Sequence, residues 1–176
     1  MFKSILERLK LKKNPVKYWR SRGVTIGENC EIYSTATFGS EPYLIKLGDN
    51  VRINSCVPLI THDGGVWVLR NKKDEYKNID MFAPIEVGNN VHIGSNAIIM
   101  PGVRIGSNCI IGCGAIVTKS IPDNSIAVGI PARVIENIDE YESKHIMDFV
   151  ETKHLTSDAK KKYLMEKYAS GNNDGK

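Results

Sequence analysis

Long apolar runs are missing from this chain of 176 residues. Nothing in it approaches the roughly 18–20 consecutive apolar residues that a bilayer demands, so no transmembrane helix is expected. The first residues turn charged at Lys3 and hold no apolar h-region. No signal peptide is expected, and the cytoplasm is the expected compartment. Cysteine is sparse: Cys30, Cys56, Cys109 and Cys113 form no CxxC pair. That spacing argues against a zinc or disulfide framework and for small thiols packed inside. Histidine is sparse too. A three-histidine zinc site wants two ligands close together, whereas His62 and His92 stand far apart and His145 and His154 lie near the C-terminal end. No RNA- or DNA-binding motif is present, and the basic residues form no groove studded with aromatics, which excludes a nucleic-acid partner.

What is present is an ordinary globular balance, 41% apolar and 25% charged, on a length that suits one domain with a sizeable core. The net charge is only +4, but it is unevenly spread. Lys3, Arg8, Lys10, Lys12, Lys13, Lys17, Arg20 and Arg22 face Glu7 alone within residues 1–22. Such a segment suits weak peripheral contact with an anionic membrane, or a solvated helix face.

The dominant signal is a repeat. From Val87, every sixth residue is a β-branched aliphatic: Ile93, Ile99, Ile105, Ile111 and Val117 follow. Glycine comes next at 88, 94, 106 and 112, and the fourth residue on is always apolar, from Val91 to Ile121. Ile26, Ile32 and Phe38 form an earlier set, and Leu47, Ile53 and Leu59 another, out of phase by an insertion within Gly39–Ile45. A helix wants period 3.6 and a plain strand wants period two. Period six fits one short strand plus one tight turn, with three hexapeptides closing a triangular coil. The aliphatic points inward onto its counterpart one coil away, and Gly is expected to supply the turn dihedrals, helped by Asn50, Asn90, Asn96 and Asn108.

Three segments fall outside the repeat. Residues 1–22 form a basic segment with a short amphipathic helix over 2–13, carrying Phe2, Ile5, Leu6 and Leu9 on one face and stopped by Pro15. Residues 63–84 leave the repeat as a long excursion, the kind of loop that is usually functional. Residues 136–176 form a C-terminal extension with one or two helices and a polar tail from Ser170. The repeat domain itself spans 23–135.

The stretch VGNNVHIGSNAIIMPGVRIGSNCIIGCGAIVTKSIPDNSIAVGIPARVI, residues 87–135, closes with VTKSIP and GIPARVI. On these motifs the chain resembles the hexapeptide-repeat acetyltransferases, in the branch of maltose/galactoside and capsule-polysaccharide O-acetyltransferases. The likeness runs over residues 24–135. It implies a mainly β fold, a left-handed parallel β-helix, assembled as a homotrimer. It implies acetyl-CoA as co-substrate, no metal, and a sugar or glycan acceptor. In ITHDGG, His62 matches the family's catalytic histidine, a general base for an acceptor hydroxyl. Glu41, Asp63 and a backbone carbonyl compete to orient it. Ser95, Cys113, Thr118, Lys119 and Arg133 match the family's coenzyme-binding positions; Cys113 stands where alanine is usual. His92 stands where many relatives carry a tryptophan against the acceptor. Trp67 and Tyr76, in the excursion, are of a kind that stacks on sugar rings, and Glu41 and Asp63 are also candidate acceptor contacts.

Other readings of the same residues remain beside this one. An N-acetyltransferase of an amino-sugar nucleotide, or an antibiotic acetyltransferase, would share the motifs. A non-catalytic solenoid scaffold would share the repeat alone. A γ-class carbonic anhydrase shares the coil but needs the histidine pair that this chain lacks.

Overall fold

The fold was obtained as a computed structural model in which residues 2–169 are described, with side chains from Ile5 onward. The tail 170–176, expected to be disordered, lies outside the described residues. The chain opens with α1 (Phe2–Lys13) and α2 (Pro15–Ser21). Pro15 ends the first helix as expected and also begins the second, where its missing N–H costs nothing. Asn14 caps that second helix, its side chain accepting from the Lys17 N–H at 2.9 Å.

The repeat region forms short strands: β1 (Thr25–Ile26), β2 (Glu31–Ile32), β3 (Ile45–Leu47), β4 (Val51–Ile53), β5 (Ile85–Val87), β6 (Val91–Ile93), β7 (Ile98–Ile99), β8 (Arg104–Ile105), β9 (Cys109–Ile111), β10 (Ile116–Val117), β11 (Ser125–Val128) and β12 (Arg133–Asn137). They pair into three ladders. The first runs β1-β3-β5-β8 and the second β2-β4-β6-β9-β11. The third joins β7 to β10 and extends through bridges at Thr37–Pro58 and Leu59–Ile99. All of these pairings are parallel; β12 alone runs antiparallel, on β11. The chain visits the ladders in turn. Val87 pairs with Ile105, Ile93 with Ile111, and Ile99 with Val117, each three hexapeptides further on.

The six-residue register therefore becomes three columns of stacked side chains, Ile26–Leu47–Val87–Ile105, Ile32–Ile53–Ile93–Ile111 and Phe38–Leu59–Ile99–Val117. All twelve are buried. Burying each such side chain contributes about 1.5–3 kcal/mol relative to leaving it in water.

The glycines that follow the first ladder's aliphatics do a different job from the one expected. Gly27, Gly48, Gly88 and Gly106 stack at one corner, and none needs a positive φ. A Cβ on Gly48 or Gly88 would lie 2.8 Å from the carbonyl carbon of the next glycine in the stack. Close approach, not dihedral freedom, requires glycine there. At other turns Asn96 at 62° and the glycines Gly102 and Gly114 at 79° and 70° supply the left-handed turn conformation as expected. At this corner it falls to asparagine: Asn29, Asn50, Asn90, Asn108 and Asn124 have φ of 55°, 56°, 54°, 55° and 57°. Their side chains tie neighbouring rungs, since Asn90 donates to Asn108 and Asn108 to Asn124, both at 2.9 Å.

Two excursions leave the stack, and both leave where the third ladder ends. The short one holds a single helical turn at Pro42–Leu44. The long one carries α3 (Val66–Lys72), where sequence reading expected only a loop. At the start of the stack, the α2 side chain Trp19 packs on Phe38 with ring centroids 4.6 Å apart. At the other end β12 covers the edge of β11. The chain divides into two compact units after Tyr141. The division falls inside α4 (Ile138–His145), and the second unit includes α5 (Ser157–Ala169), in keeping with the helices expected there.

Candidate active site

His62 stands at the neck of the long excursion. It bridges Phe82 in antiparallel fashion. The Asp63 N–H donates to the Met81 carbonyl and the Ala83 N–H to the Thr61 carbonyl, both at 2.9 Å. The departing and returning strands are thereby zipped together, and the histidine backbone is held on the rigid stack.

Its ring faces the short excursion one rung away. Nδ1 lies 3.2 Å from the Ser40 hydroxyl and 3.6 Å from a Glu41 carboxylate oxygen. That same oxygen accepts hydrogen bonds from Ser40 Oγ at 2.8 Å and from Thr61 Oγ1 at 3.0 Å. Thr61 is fully buried, while the Glu41 side chain is 16% exposed and that of His62 44%. Gly39 makes the approach workable. Its φ is +58°, and a Cβ there would sit 2.8 Å from Thr61 Oγ1. Any other residue would push the threonine away from the carboxylate.

A cavity of about 300 Å³ opens over this group, lined among others by Ser40, Glu41, His62, Asp63, Trp67 and Phe82. Trp67 stands at its rim, 67% exposed, on α3. The helix is tied to the returning strand by Arg70, which donates to the Ile79 carbonyl at 2.7 Å and pairs with Asp80. Asp63 does not face the imidazole ring nitrogens. Its carboxylate accepts from the Gly65 N–H at 2.7 Å and starts the turn into α3. Of the groups expected to compete for His62, the structure thus puts Glu41 beside Nδ1. It adds Ser40 and Thr61, which sequence reading missed. Both lie where the period of six breaks, and only the polar run Ser40-Glu41 ahead of Pro42 signalled them.

The remaining expected site residues lie elsewhere on the chain. Ser95 and Cys113 sit one rung apart at the corner between the second and third ladders, and the Gly114 N–H donates to the Ser95 carbonyl at 2.9 Å. Cys113 is exposed, and a Cβ on Gly114 would meet nothing within 4 Å, so this corner is open. Thr118 and Lys119 are exposed just after β10, on the same side of the stack as His62 but two rungs further along. Arg133 is exposed at the start of β12 and donates to its neighbour's carbonyl, that of Ala132, at 2.9 Å. His92 lies outside the His62 cavity. It stands on the outer face of the second ladder, opposite Arg52, in a cleft with Asn90, Asn108 and Ile138. Burial, and then the Arg52 charge, push its imidazole below the usual value. Among the described residues no group of three or more His, Cys, Asp or Glu side chains comes together to hold a metal ion.

Residues 84–119 match the family described as bacterial transferase hexapeptide (six repeats). The chain is 49% identical to Protein CapG of Staphylococcus aureus over 151 residues, 85% of this chain and 86% of that protein. It is 40% identical to the galactoside O-acetyltransferase of Escherichia coli K12 over 128 residues, 72% of this chain and 60% of that protein. Among solved structures it resembles a galactoside acetyltransferase in complex with coenzyme A, with a TM-score of 0.52 and 38% identity, over 69% of this chain and 58% of that one. A stack of parallel hexapeptide rungs, a repeat that matches over β5–β10 and a relative that is nearly half identical over most of both chains agree: this chain belongs to the hexapeptide-repeat acetyltransferase family.

Proposed function

We propose that the protein transfers an acetyl group from acetyl-CoA to a sugar hydroxyl, in the modification of a surface polysaccharide or its precursor, with His62 as general base. The observation that carries this reading is the hold on His62 Nδ1 by Ser40 and Glu41 inside a cavity at the mouth of the excursion. The Ser40 hydroxyl donates to Glu41, so its lone pair is free to accept from Nδ1–H. That fixes the tautomer and leaves Nε2 unprotonated. Nε2 takes the proton as the acceptor oxygen attacks the thioester carbonyl, and returns it to the departing thiolate. The Glu41 carboxylate steadies the imidazolium in between. No covalent link to the protein is needed when donor and acceptor are held side by side.

Acetyl-CoA suits the open corner at Ser95, Cys113 and Gly114, where small residues let the pantetheine arm approach the backbone. Lys119 and Arg133 are exposed cations able to meet its phosphates. The names of the relatives support this chemistry: one is a galactoside O-acetyltransferase, and a solved structure holds coenzyme A. We read the stack as a left-handed parallel β-helix and the working enzyme as a homotrimer. In one chain the Ser95–Cys113 corner and His62 lie at opposite edges of the third ladder, so a neighbouring copy's corner would complete the site. His92 then contacts the acceptor from that second copy, and Trp67 stacks on its ring. Residues 23–135 form the catalytic domain in this reading, flanked by the N-terminal basic segment 1–22 and the C-terminal extension 136–176.

The test is release of the CoA thiol from acetyl-CoA by wild type and His62→Ala, across monosaccharides, disaccharides, sugar nucleotides and amino sugars. The expected result is turnover on a hydroxyl acceptor and a loss of at least about 10²-fold in kcat in the variant. Equal release by both proteins would remove His62 from the mechanism.

A further inference from the structure

The helix α1 has two apolar sides. Leu11 packs against the core cluster, together with Val16 and Tyr18 at the start of α2. Ile5, Leu6 and Leu9 do not follow it. At about 100° per residue each lies some 120° or more around the helix from Leu11. They are 50%, 53% and 57% exposed. An apolar stripe on a helix already anchored by its opposite side has no structural use within one chain.

Its surroundings are cationic. Arg8, Lys10, Lys12 and Lys13 flank the stripe on the same helix, and all four are exposed. At the elbow between α1 and α2, Lys10, Lys13, Asn14, Lys17, Tyr18 and Ser21 line a cavity of about 570 Å³. Lys10 shares its charge with Glu7 at 2.9 Å. Among the described residues, Lys13 and Lys17 have no carboxylate partner. The elbow therefore offers unspent positive charge in a concave setting beside exposed leucines.

We infer that α1 and the α1–α2 elbow form a docking surface for an anionic phospholipid bilayer. Ile5, Leu6 and Leu9 enter the interface, and Lys10, Lys13 and Lys17 meet the lipid phosphates. Charge chooses this occupant. A second copy of the same basic helix would be repelled, whereas an anionic surface attracts each lysine near it and accepts apolar side chains at the acyl boundary. The helix has 12 residues, and among the described residues no helix is long and apolar enough to cross a membrane, so the contact is peripheral. Such docking would hold the active site over a lipid-linked acceptor; the docking itself does not rest on the proposed reaction.

The test is sedimentation of the full chain with vesicles of phosphatidylcholine alone and of phosphatidylcholine with 30–40% phosphatidylglycerol, about the range in which anionic surface potential becomes strong. Binding to the anionic vesicles only, weakened by raising salt from about 0.1 to 0.5 M, is expected. Lys10→Gln/Lys13→Gln/Lys17→Gln should weaken it by about 10²-fold, at roughly fivefold per lysine. Ile5→Asn/Leu6→Asn/Leu9→Asn should abolish it while the oligomeric state and turnover on a soluble sugar stay as in wild type. Binding to neither vesicle, equal binding to both, or undiminished binding by the apolar triple variant would overturn the inference. A change of oligomeric state in that variant would also overturn it, by making the stripe a contact between copies. Loss of turnover in wild type would count against the enzyme reading alone.

Discussion

Replacing Glu41 by glutamine keeps the size of the side chain and an oxygen for the Ser40 and Thr61 hydroxyls, but removes one negative charge from beside His62 Nδ1. At 3.6 Å, a carboxylate and an imidazolium attract by about 1 kcal/mol at the dielectric of water and about 5 kcal/mol at an effective value of 20. The His62 side chain is 44% exposed, so solvent screens much of this and about 1–2 kcal/mol is the fair figure. In the proposed reaction that attraction arises as the imidazole takes the acceptor proton, so it would act in the transition state rather than in substrate binding. Glu41→Gln should lower kcat by about 5–30-fold with the KM for acetyl-CoA unchanged. A thiol-release assay at saturating acceptor reads both constants. A kcat within twofold of wild type would refute the argument, and a loss confined to KM would make Glu41 a binding group.

Gly88→Ala places a Cβ 2.8 Å from backbone atoms of Gly106 and Ser107, closer than real contacts allow. The rungs must part, at about 3 kcal/mol, which thermal unfolding should read as a Tm lower by roughly 6–12 °C. Lys119→Ala should raise the KM for acetyl-CoA about tenfold, in line with losing one charged hydrogen bond, and leave the KM for the sugar alone. His92 titrates below its usual range because of burial and then Arg52. The unfolded chain then binds more protons than the native one, so native stability falls as pH drops through the imidazole range. Arg52→Gln removes the second cause, so an NMR titration should find the His92 imidazole shifted upward and the acid loss reduced.

The ladders were legible because one hexapeptide is both the period of the sequence and the side of the coil. Val87, Ile93 and Ile99 name three different columns, and each returns after three steps. The same logic hid part of the site. His62 and Glu41 could be named from sequence, but Ser40 and Thr61 lie where the register slips, so no period announces them, and only the fold shows that two insertions far apart in sequence open from one edge. Gly88 and Gly106 misled for a physical reason: a small residue at a turn suits either positive φ or close packing, and only the fold distinguishes the two. Pro15 likewise reads as a stop in sequence, although the first position of a new helix tolerates it equally well.

The neck of the long excursion closes with two hydrogen bonds across His62 and Phe82, and the rungs on either side, Leu59 and Ile99, pair as though nothing had been inserted. Residues 64–80 are thus a cassette clipped onto a finished scaffold. Exchange of that cassette should leave the stack, and the histidine at the clip, where they are. If the excursion meets the acceptor as proposed, a change of substrate would then need only a change in what is hung on one edge, at little risk to folding.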